Sequence, residues 1–399
     1  MSAKKNILIL CSQNYNTQPR VLRTIEALES YYNITVAGLS EAKEHHVTFI
    51  NLSSHLEKDK LKNYWHFNKP SWIRLPISFY YKYIKQKQFY KPFYFEHQYW
   101  TSSKRASLDA LRKVDFDMII SHGVDTLPLG VTLATEKTPV IFNAHEYYPL
   151  EFEQNKEWLK SEGAKASYII KTYLPRCAFM FCVSEHIQKK YQNDNNIKSI
   201  PITNATSYVD IKMKKTGALV KILHHGAAIR DRRLELMADM MQYLGDNYSL
   251  SFMLVPTEKD YLEELKRKYS IHDRINFVEP VSVSRIPFEC NKYDIGLFIL
   301  PPVSFNWRHA LPNKFFEYVQ GRLAIAVSPN PEMKQFVQKY DLGVVSDNYT
   351  AESMATSIGS LTRDQIDRFK SNSELYAMEL SADRNKQVIL ETVNSLFKY

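Results

Sequence analysis

Short apolar runs recur along the first half of the chain, and segments with helical spacing of apolar residues lie between them. Strand-like runs occupy 6–11, 34–39, 118–122, 140–145 and 179–184. Helical spacing predicts helices over 19–32, after Thr126 and in a long region that ends near residue 176. Strands that alternate with helices predict a parallel sheet covered on both faces.

The alternation stops at residues 206–218, TSYVDIKMKKTGA, and then begins again. Further strand-like runs occur in KILHHG, SFMLV, INFVEP, YDIGLFIL, LAIAV and LGVVSD. We therefore predict an α/β protein with two Rossmann-like, doubly wound parallel-sheet domains, 1–205 and 219–380, joined by the linker 206–218. A C-terminal helix in 381–399 is a candidate for crossing back to the first domain. Such sheets bind ligands at the carboxyl ends of their strands, so we expect two substrates to meet in a central cleft that both domains face.

Length and composition are consistent with this organisation. A chain of 399 residues, 44% hydrophobic and 24% charged, is typical of a globular protein with two domains. No apolar run approaches the roughly 18–20 residues that span a bilayer, and the first run is too short for a signal peptide. The four scattered cysteines predict free thiols in a reducing cytoplasm. The net charge of +9 favours an anionic partner, whether nucleotide, membrane surface or nucleic acid.

Three polar clusters follow predicted strands or begin predicted helices. In ALPNKFFEYVQGRLAIAV (310–327), Pro312 at the first helical position would place Asn313 and Lys314 at a helix N-terminus, which binds phosphate. Glu317 shares their face and can accept hydrogen bonds from ribose hydroxyls, although a Lys–Glu pair at this spacing is also common on solvated helices.

In HHGAAIRDRRLE (224–235), Gly226 allows close backbone approach and the arginines can bind a diphosphate, with a helix expected to begin near Arg232 or Arg233. The alternative is a solvated basic helix start. In NAHEYYP (143–149), His145 and Glu146 at the end of a strand are placed for chemistry, although a single histidine is more often structural. The Asp-x-Asp sequence at 115–117 precedes its strand, so we expect an exposed turn and no metal site there.

Residues 63–100 contain fifteen aromatic residues and six Lys or Arg, against one acidic residue. This composition suits contact with an anionic membrane or a lipid-linked acceptor. Packing of a helix pair on the first domain, or stacking on nucleic acid, would also use it.

Taken together, the segments resemble the family four glycosyltransferases, which are retaining nucleotide-sugar enzymes of the GT-B fold, and most closely the branch that builds bacterial surface polysaccharides. The matching segments are PRVLRTIEAL, VDTLPLG, VIFNAHEYYPLEF, CVSEHI, ITNA, HHGAAIRDRRLE, YDIGLF and ALPNKFFEYVQGRLAIAVSPNPEM. The resemblance implies that Arg232 and Lys314, with Arg230 as a further candidate, hold the donor diphosphate. It implies that Glu317 binds the ribose and that Val278, in FVEP, lies beside the nucleobase. His145 would lie near the transferred sugar.

The chain departs from the family at two places. His309 stands where the family often has a glutamate eight residues before the second one, so it is our candidate for the donor sugar. The glycine-rich loop after the first strand is replaced by SQNYNTQPR, where Asn16, Thr17 and Arg20 are acceptor-side candidates.

The resulting prediction is a metal-independent glycosyltransferase without a cofactor, cytoplasmic and peripheral on the inner face of the plasma membrane. It would transfer a sugar from a UDP- or GDP-sugar, with retention, to a saccharide or lipid-linked acceptor, without a nucleic-acid partner. The alternatives are a sugar-nucleotide epimerase or hydrolase of similar fold, and a non-enzymatic nucleic-acid-binding protein that uses 63–100. No G-x-G-x-x-G sequence follows a predicted strand, which argues against a dehydrogenase.

Overall fold

A computed structural model describes residues 4–39, 47–53 and 91–397 of the chain. Most of the aromatic and basic segment 63–100 lies outside the described residues, including Lys82, Lys85 and Lys87. The prediction of membrane or acceptor contact by this segment therefore stays a prediction.

The chain forms two compact units. Unit 1 is drawn from Met1–Val183, Ile187–Pro201 and Val388–Tyr399, and unit 2 consists of Ser184–His186 and Ile202–Gln387. The last helix, Ala382–Leu396, runs from unit 2 into unit 1. Between the last strand of unit 1 and the first strand of unit 2, residues 202–219 contain no helix or strand.

Unit 1 contains a seven-stranded parallel sheet in the order β3-β2-β1-β4-β5-β6-β7. Its strands are β1 Asn6–Cys11, β2 Asn33–Gly38, β3 Thr48–Asn51, β4 Met118–His122, β5 Val140–Asn143, β6 Phe179–Cys182 and β7 Ser199–Pro201. Its helices are Pro19–Leu28, Lys91–Tyr99, Ser102–Leu111, Leu127–Leu133, Lys156–Trp158, Ala164–Tyr173 and Glu185–Asn195, with a π-helical turn at Leu159–Gly163. The first two residues of the last of these helices, Glu185 and His186, belong to unit 2. The predicted strand 6–11 is confirmed, whereas the predicted helix 19–32 ends at Leu28.

Unit 2 contains a six-stranded parallel sheet in the order β10-β9-β8-β11-β12-β13. Its strands are β8 Val220–Ala227, β9 Tyr248–Val255, β10 Ile275–Val278, β11 Ile295–Phe298, β12 Ala324–Val327 and β13 Gly343–Val345. Its helices are Glu235–Asp239, Lys259–Tyr269, Ile286–Cys290, Phe305–Arg308, Asn313–Gln320, Pro331–Tyr340, Ala351–Gly359 and Arg363–Tyr376. Both sheets are parallel throughout, which confirms the predicted α/β class with two doubly wound sheets.

The sheet of unit 2 buries a separate apolar cluster on each face. Ile222 and Leu223 are neighbours on β8, and they belong to opposite clusters because successive strand side chains point to opposite faces. Helix Asn313–Gln320 packs close to β11 at Gly296, where an added Cβ would lie 2.3 Å from the ring of Tyr318. This glycine therefore fixes how closely the helix that carries Lys314 and Glu317 can approach the sheet.

Two local predictions need correction. The helix expected at Arg232 or Arg233 begins at Glu235, after a 3-10 turn at Arg230–Arg232, because Arg233 adopts a left-handed conformation with φ of 51°. Pro312 is the N-cap residue, and the helix begins at Asn313. Proline suits both positions because its missing N–H would have no helical partner in either.

The Asp-x-Asp sequence has a structural role in unit 1. Asp117 accepts a hydrogen bond from the backbone N–H of Asn6 at 2.8 Å, and Asp115 accepts one from the Asn6 side chain at 3.1 Å. Across residues 4–39, 47–53 and 91–397, no three His, Cys, Asp or Glu side chains are arranged to hold a metal ion. The four cysteines are free and buried, as the sequence predicts for free thiols. No helix in the described part of the chain has the length and apolar composition needed to cross a bilayer.

Candidate functional site

The side chain of Lys314 lies in an unusual environment at the start of helix Asn313–Gln320. It is only 6% exposed, and its buried Nζ atom has no hydrogen-bond partner among the residues that the structure describes. Nζ lies 4.0 Å from the centre of the Phe298 ring, at the end of β11. Burial is the main cause that lowers the pKa of Lys314 well below its ordinary value, the charge of Arg232 lowers it further, and Glu317 partly opposes this.

Gly226 makes room for this amine near the end of β8. A Cβ at Gly226 would lie 3.0 Å from Lys314 Nζ and 3.9 Å from Nη1 of Arg232, so the glycine backbone lies beside both cationic side chains. Its φ of +132° is also one that glycine adopts without strain. Burial lowers the pKa of Arg232 as well. A diphosphate matches this combination of a buried lysine, a half-buried arginine, a bare stretch of backbone and the N–H groups of a helix N-terminus.

Glu317 lies one turn further along the helix and is also buried. Its Oε2 lies 3.4 Å from Nε2 of His225, which precedes Gly226 on β8. Burial, followed by the charge of Lys314, lowers the pKa of His225 to about 3, so this imidazole is neutral at physiological pH. A carboxylate beside a neutral imidazole can accept hydrogen bonds from vicinal hydroxyls.

Buried polar atoms without hydrogen bonds concentrate at one edge of the unit 2 sheet. In this unit, which the structure describes throughout, they are Lys314 Nζ, His224 Nε2, His225 Nε2, His309 Nδ1 and Glu332 Oε2. All five belong to residues in the second half of β8 or to residues that follow β11 and β12. Such groups are rare in folded proteins because each loses hydration without compensation. Their common location indicates a site built for a polar ligand.

Val278, the residue expected beside the nucleobase, ends β10. It lines a cavity of about 390 Å³ at the ends of β9 and β10, together with Phe252, Leu254, Pro256, Lys259, Leu262, Glu263, Lys266, Phe277, Glu279 and Pro280. The volume of this cavity is in the range of sites that bind small molecules.

The other donor-side candidates of unit 2 are placed differently. Arg230 forms an exposed ion pair with Glu264 at 2.8 Å and stacks over Tyr261. Asn313 is the exposed first residue of its helix. The ring of His309 stacks on that of His186, with 4.7 Å between centroids.

Two candidates of unit 1, Arg20 and His145, lie at the carboxyl ends of β4 and β5. Arg20 is buried and donates to Asn143 Oδ1 at 2.8 Å and to the carbonyl of Ala144 at 3.2 Å. His145 Nε2 lies 3.4 Å from Nδ1 of His122. Burial, then the charge of Arg20, lowers the pKa of both histidines, that of His122 to about 3. A neutral His145 can exchange hydrogen bonds with a hydroxyl group.

Glu146 follows His145 and has a different protonation behaviour. Burial raises its pKa to about 7, and the nearby charge of Glu151 contributes. Asn16 and Thr17 lie in the 3-10 turn Tyr15–Thr17, where the backbone N–H of Asn16 donates to Asn14.

The structure adds residues that the sequence did not single out as parts of a site: His122, His225, His186 and Glu332. His225 lies within HHGAAIRDRRLE, but the sequence predicted ligand contact only for the glycine and the arginines of that segment. His122 is the last residue of a predicted strand, and ligands bind at the carboxyl ends of such strands, so its position in the sequence could have identified it. No sequence signal connects His186 with Glu332.

No protein-family model matches the chain, and no curated protein matches it. Several solved structures do. Sucrose-phosphate synthase from Thermosynechococcus elongatus aligns with a TM-score of 0.71 and 12% identity over 99% of this chain and 100% of that one. HepE from Anabaena, in complex with UDP, aligns with a TM-score of 0.66 and 12% identity, over 98% of this chain and 100% of that one. An α,α-trehalose-phosphate synthase (UDP-forming) from Burkholderia vietnamiensis aligns with a TM-score of 0.66 and 11% identity, over 99% of this chain and 98% of that one.

At these identities the similarity establishes the fold. The two α/β units, with parallel sheets of seven and six strands, match structures of glycosyltransferases over nearly the whole chain. The chain therefore has the GT-B fold.

Proposed function

We propose that the chain is a glycosyltransferase that binds a nucleotide-sugar donor through unit 2 and transfers the sugar to a hydroxyl group of a saccharide acceptor. The observation that carries this proposal is the buried, unpartnered amine of Lys314 beside Gly226 and Arg232. An anion that accepts hydrogen bonds from these groups would satisfy them. The solved structures of similar fold include complexes of HepE with UDP and with UDP-glucose.

In the proposed reaction, Lys314, Arg232 and the first N–H groups of helix Asn313–Gln320 neutralise the charge that develops on the departing diphosphate. The bond between the anomeric carbon and the diphosphate oxygen breaks, and the acceptor oxygen bonds to that carbon. The acceptor proton moves to the leaving phosphate oxygen. Fixed cations in a buried site stabilise this transition state without reorganisation.

Retention of configuration, metal independence, a lipid-linked acceptor and a role in bacterial surface-polysaccharide synthesis are further parts of the proposal. Retention and the pathway rest on the family resemblance of the motifs. Metal independence is supported by the two cations at the diphosphate position, which supply charge that a metal would otherwise supply. A cytoplasmic location rests on the four scattered cysteines, and contact with the membrane rests on the composition of residues 63–100.

Ligand-induced stabilisation tests the proposal. UDP, GDP, CMP and their sugar conjugates are screened for an increase in Tm, with and without EDTA, since a ligand that binds only the folded state must raise Tm. We expect an increase with one nucleotide diphosphate that is insensitive to EDTA and lost in Lys314→Ala. Lys221→Ala, which changes an exposed lysine on β8, is the matched control and should retain it. If no nucleotide raises Tm, the proposal is wrong.

A further inference from the structure

A buried carboxylate and an imidazole form a pair within unit 2. Glu332 is the second residue of helix Pro331–Tyr340, directly after β12, and its side chain is 0% exposed. Its Oε1 accepts hydrogen bonds from the backbone N–H of His186 at 2.6 Å and from Nδ1 of the same residue at 2.8 Å. Its Oε2 is buried and forms no hydrogen bond with residues 4–39, 47–53 or 91–397. Burial of a carboxylate costs free energy of desolvation, so carboxylates are seldom fully buried unless they are paired or bind a ligand.

The pairing determines which nitrogen of His186 is available. A carboxylate oxygen accepts hydrogen bonds, so the Nδ1 that contacts Glu332 is the donor and Nε2 is the nitrogen left for a ligand. The His186 side chain is 35% exposed, which leaves part of the ring accessible. The N-terminus of helix Pro331–Tyr340 favours a negative charge at Glu332 and so supports this arrangement.

Two further rings hold His186 in place. His309 stacks on it at 4.7 Å with an interplanar angle of 20°, and Phe305 lies 4.6 Å from His309. Burial, followed by the charges of His186 and Arg308, lowers the pKa of His309 to about 4, so His309 is neutral. His186 is thus oriented by a hydrogen bond and by stacking, as expected for a ligand-binding group.

The pair lies on the same sheet edge as the proposed diphosphate site. Gly226 is near the end of β8, Lys314 follows β11 and Glu332 follows β12, and these strands are neighbours in that order. Neighbouring strands are about 4.8 Å apart, so β8 and β12 end roughly 10 Å from each other. A sugar attached to the bound diphosphate can bridge this distance.

We propose that His186, oriented by Glu332 and His309, binds a hydroxyl group of the sugar that the nucleotide donor carries, with Nε2 as the contacting atom. The inference rests on the proposed function and adds a contact for the transferred sugar. The competing explanation is that the pair only fastens residues 184–186 to helix Pro331–Tyr340.

Two substitutions at position 186 separate these explanations. His186→Asn retains an N–H close to the position of Nδ1, so it can still donate to Glu332, but it lacks Nε2. His186→Ala removes both groups. His272→Ala changes an exposed imidazole of the same unit and is the control. A fastening role predicts that the Asn variant behaves like the wild type, whereas sugar binding predicts that it behaves like the Ala variant.

The measurement is isothermal titration of each variant with UDP and GDP and with their glucose, galactose, N-acetylglucosamine and mannose conjugates. For the conjugate that the wild type binds, we expect His186→Asn to weaken affinity about 5–10-fold, the worth of one hydrogen bond. Its affinity for the nucleotide diphosphate should stay within about twofold. Circular dichroism and Tm confirm that the variant is folded.

The outcomes distinguish the two proposals. Equal weakening of diphosphate and conjugate, or unchanged binding of both in the Asn variant, overturns the role of His186 and leaves the glycosyltransferase proposal intact. If the wild type binds no nucleotide or conjugate in the panel, the proposed function is wrong and the role of His186 is wrong with it.

Discussion

Replacing Lys314 by methionine should make the ligand-free protein more stable and its nucleotide binding much weaker. Methionine keeps the length and the apolar stem of lysine but removes the amine. That amine is buried and has no hydrogen bond to any described residue, so its removal eliminates a desolvated group without a compensating contact. The contact of Nζ with Phe298 is replaced by a contact between a thioether and the ring, which is also favourable.

The size of the effect follows from the desolvation of one polar group. An unsatisfied buried donor costs about 1–3 kcal/mol, and 1 kcal/mol changes Tm by about 2–4 °C in a domain of this size, so we expect Tm to rise by roughly 2–12 °C. A hydrogen bond between a charged amine and a phosphate contributes about 1.5–3 kcal/mol, so affinity for the nucleotide diphosphate should fall about 10–150-fold.

A second buried lysine of the same unit provides the matched control. Lys370 donates to Asp294 at 2.7 Å, and both side chains are almost fully buried. Lys370→Met leaves this carboxylate without its counter-ion, which should destabilise the protein by about 3–5 kcal/mol. The same substitution at two buried lysines is thus expected to change stability in opposite directions.

The effect at Lys314 should also depend on pH. Its pKa in the folded protein is lower than its ordinary value of 10.5, so below pH 10.5 the unfolded state binds more protons at this position and stability rises with pH. The gain in Tm of Lys314→Met over the wild type should therefore be larger at pH 7 than at pH 10. Differential scanning calorimetry at both values measures it. A Tm decrease of several degrees at pH 7, with unchanged nucleotide affinity, would contradict the assignment of Lys314 as an unsatisfied ligand-binding group.

Three further predictions concern other parts of the two units. Gly226→Ala should weaken nucleotide binding about tenfold or more in the titration, because its Cβ would lie 3.0 Å from the buried amine at a φ of +132°. Gly217→Ala should not, because a Cβ there would contact only the carbonyl of Leu219, at 3.9 Å. Glu146→Gln should raise Tm at pH 8 and lose this advantage toward pH 5. The reason is that the carboxyl group has a pKa of about 7 in the folded protein and so holds its proton more tightly than in the unfolded chain. Equal Tm shifts at both pH values would contradict the raised pKa. Asp117→Asn should leave transferase activity unchanged with or without EDTA, since this side chain only accepts a hydrogen bond from the β1 backbone, and a metal-dependent loss would refute that role.

Most of the fold could be predicted because buried parallel strands are continuous apolar runs. The strands at 6–11 and 118–122 have the predicted bounds. The missed strands β3 and β7 lie at the two edges of their sheet, are short and are only partly buried, so their side chains do not form an apolar run. Because Arg233 is left-handed, the next helix begins only at Glu235, and no feature of the sequence Arg-Asp-Arg-Arg predicts this conformation.

The candidate site was predictable only where its residues are close in sequence. Lys314 and Glu317 are three residues apart on one helix, so helical geometry places them on one face. The approach of His225 to Glu317 depends on the pairing of β8 with β11, which brings together residues about 90 positions apart in the chain. His186 and Glu332 are 146 residues apart, and their contact depends on tertiary structure alone.

The two buried lysines show why a residue pattern cannot distinguish a structural from a functional charge. Lys314 lies among buried aromatic residues at the start of its helix, and Lys370 lies between Phe369 and Ser373 on the buried face of another. In sequence, both are single cations on apolar helix faces. In the structure, Asp294 neutralises Lys370, whereas no residue in the described part of the chain forms a hydrogen bond with Lys314 Nζ. A fold that retains an uncompensated cation at a sheet edge loses stability there, so the site is best explained by an anionic ligand that restores it.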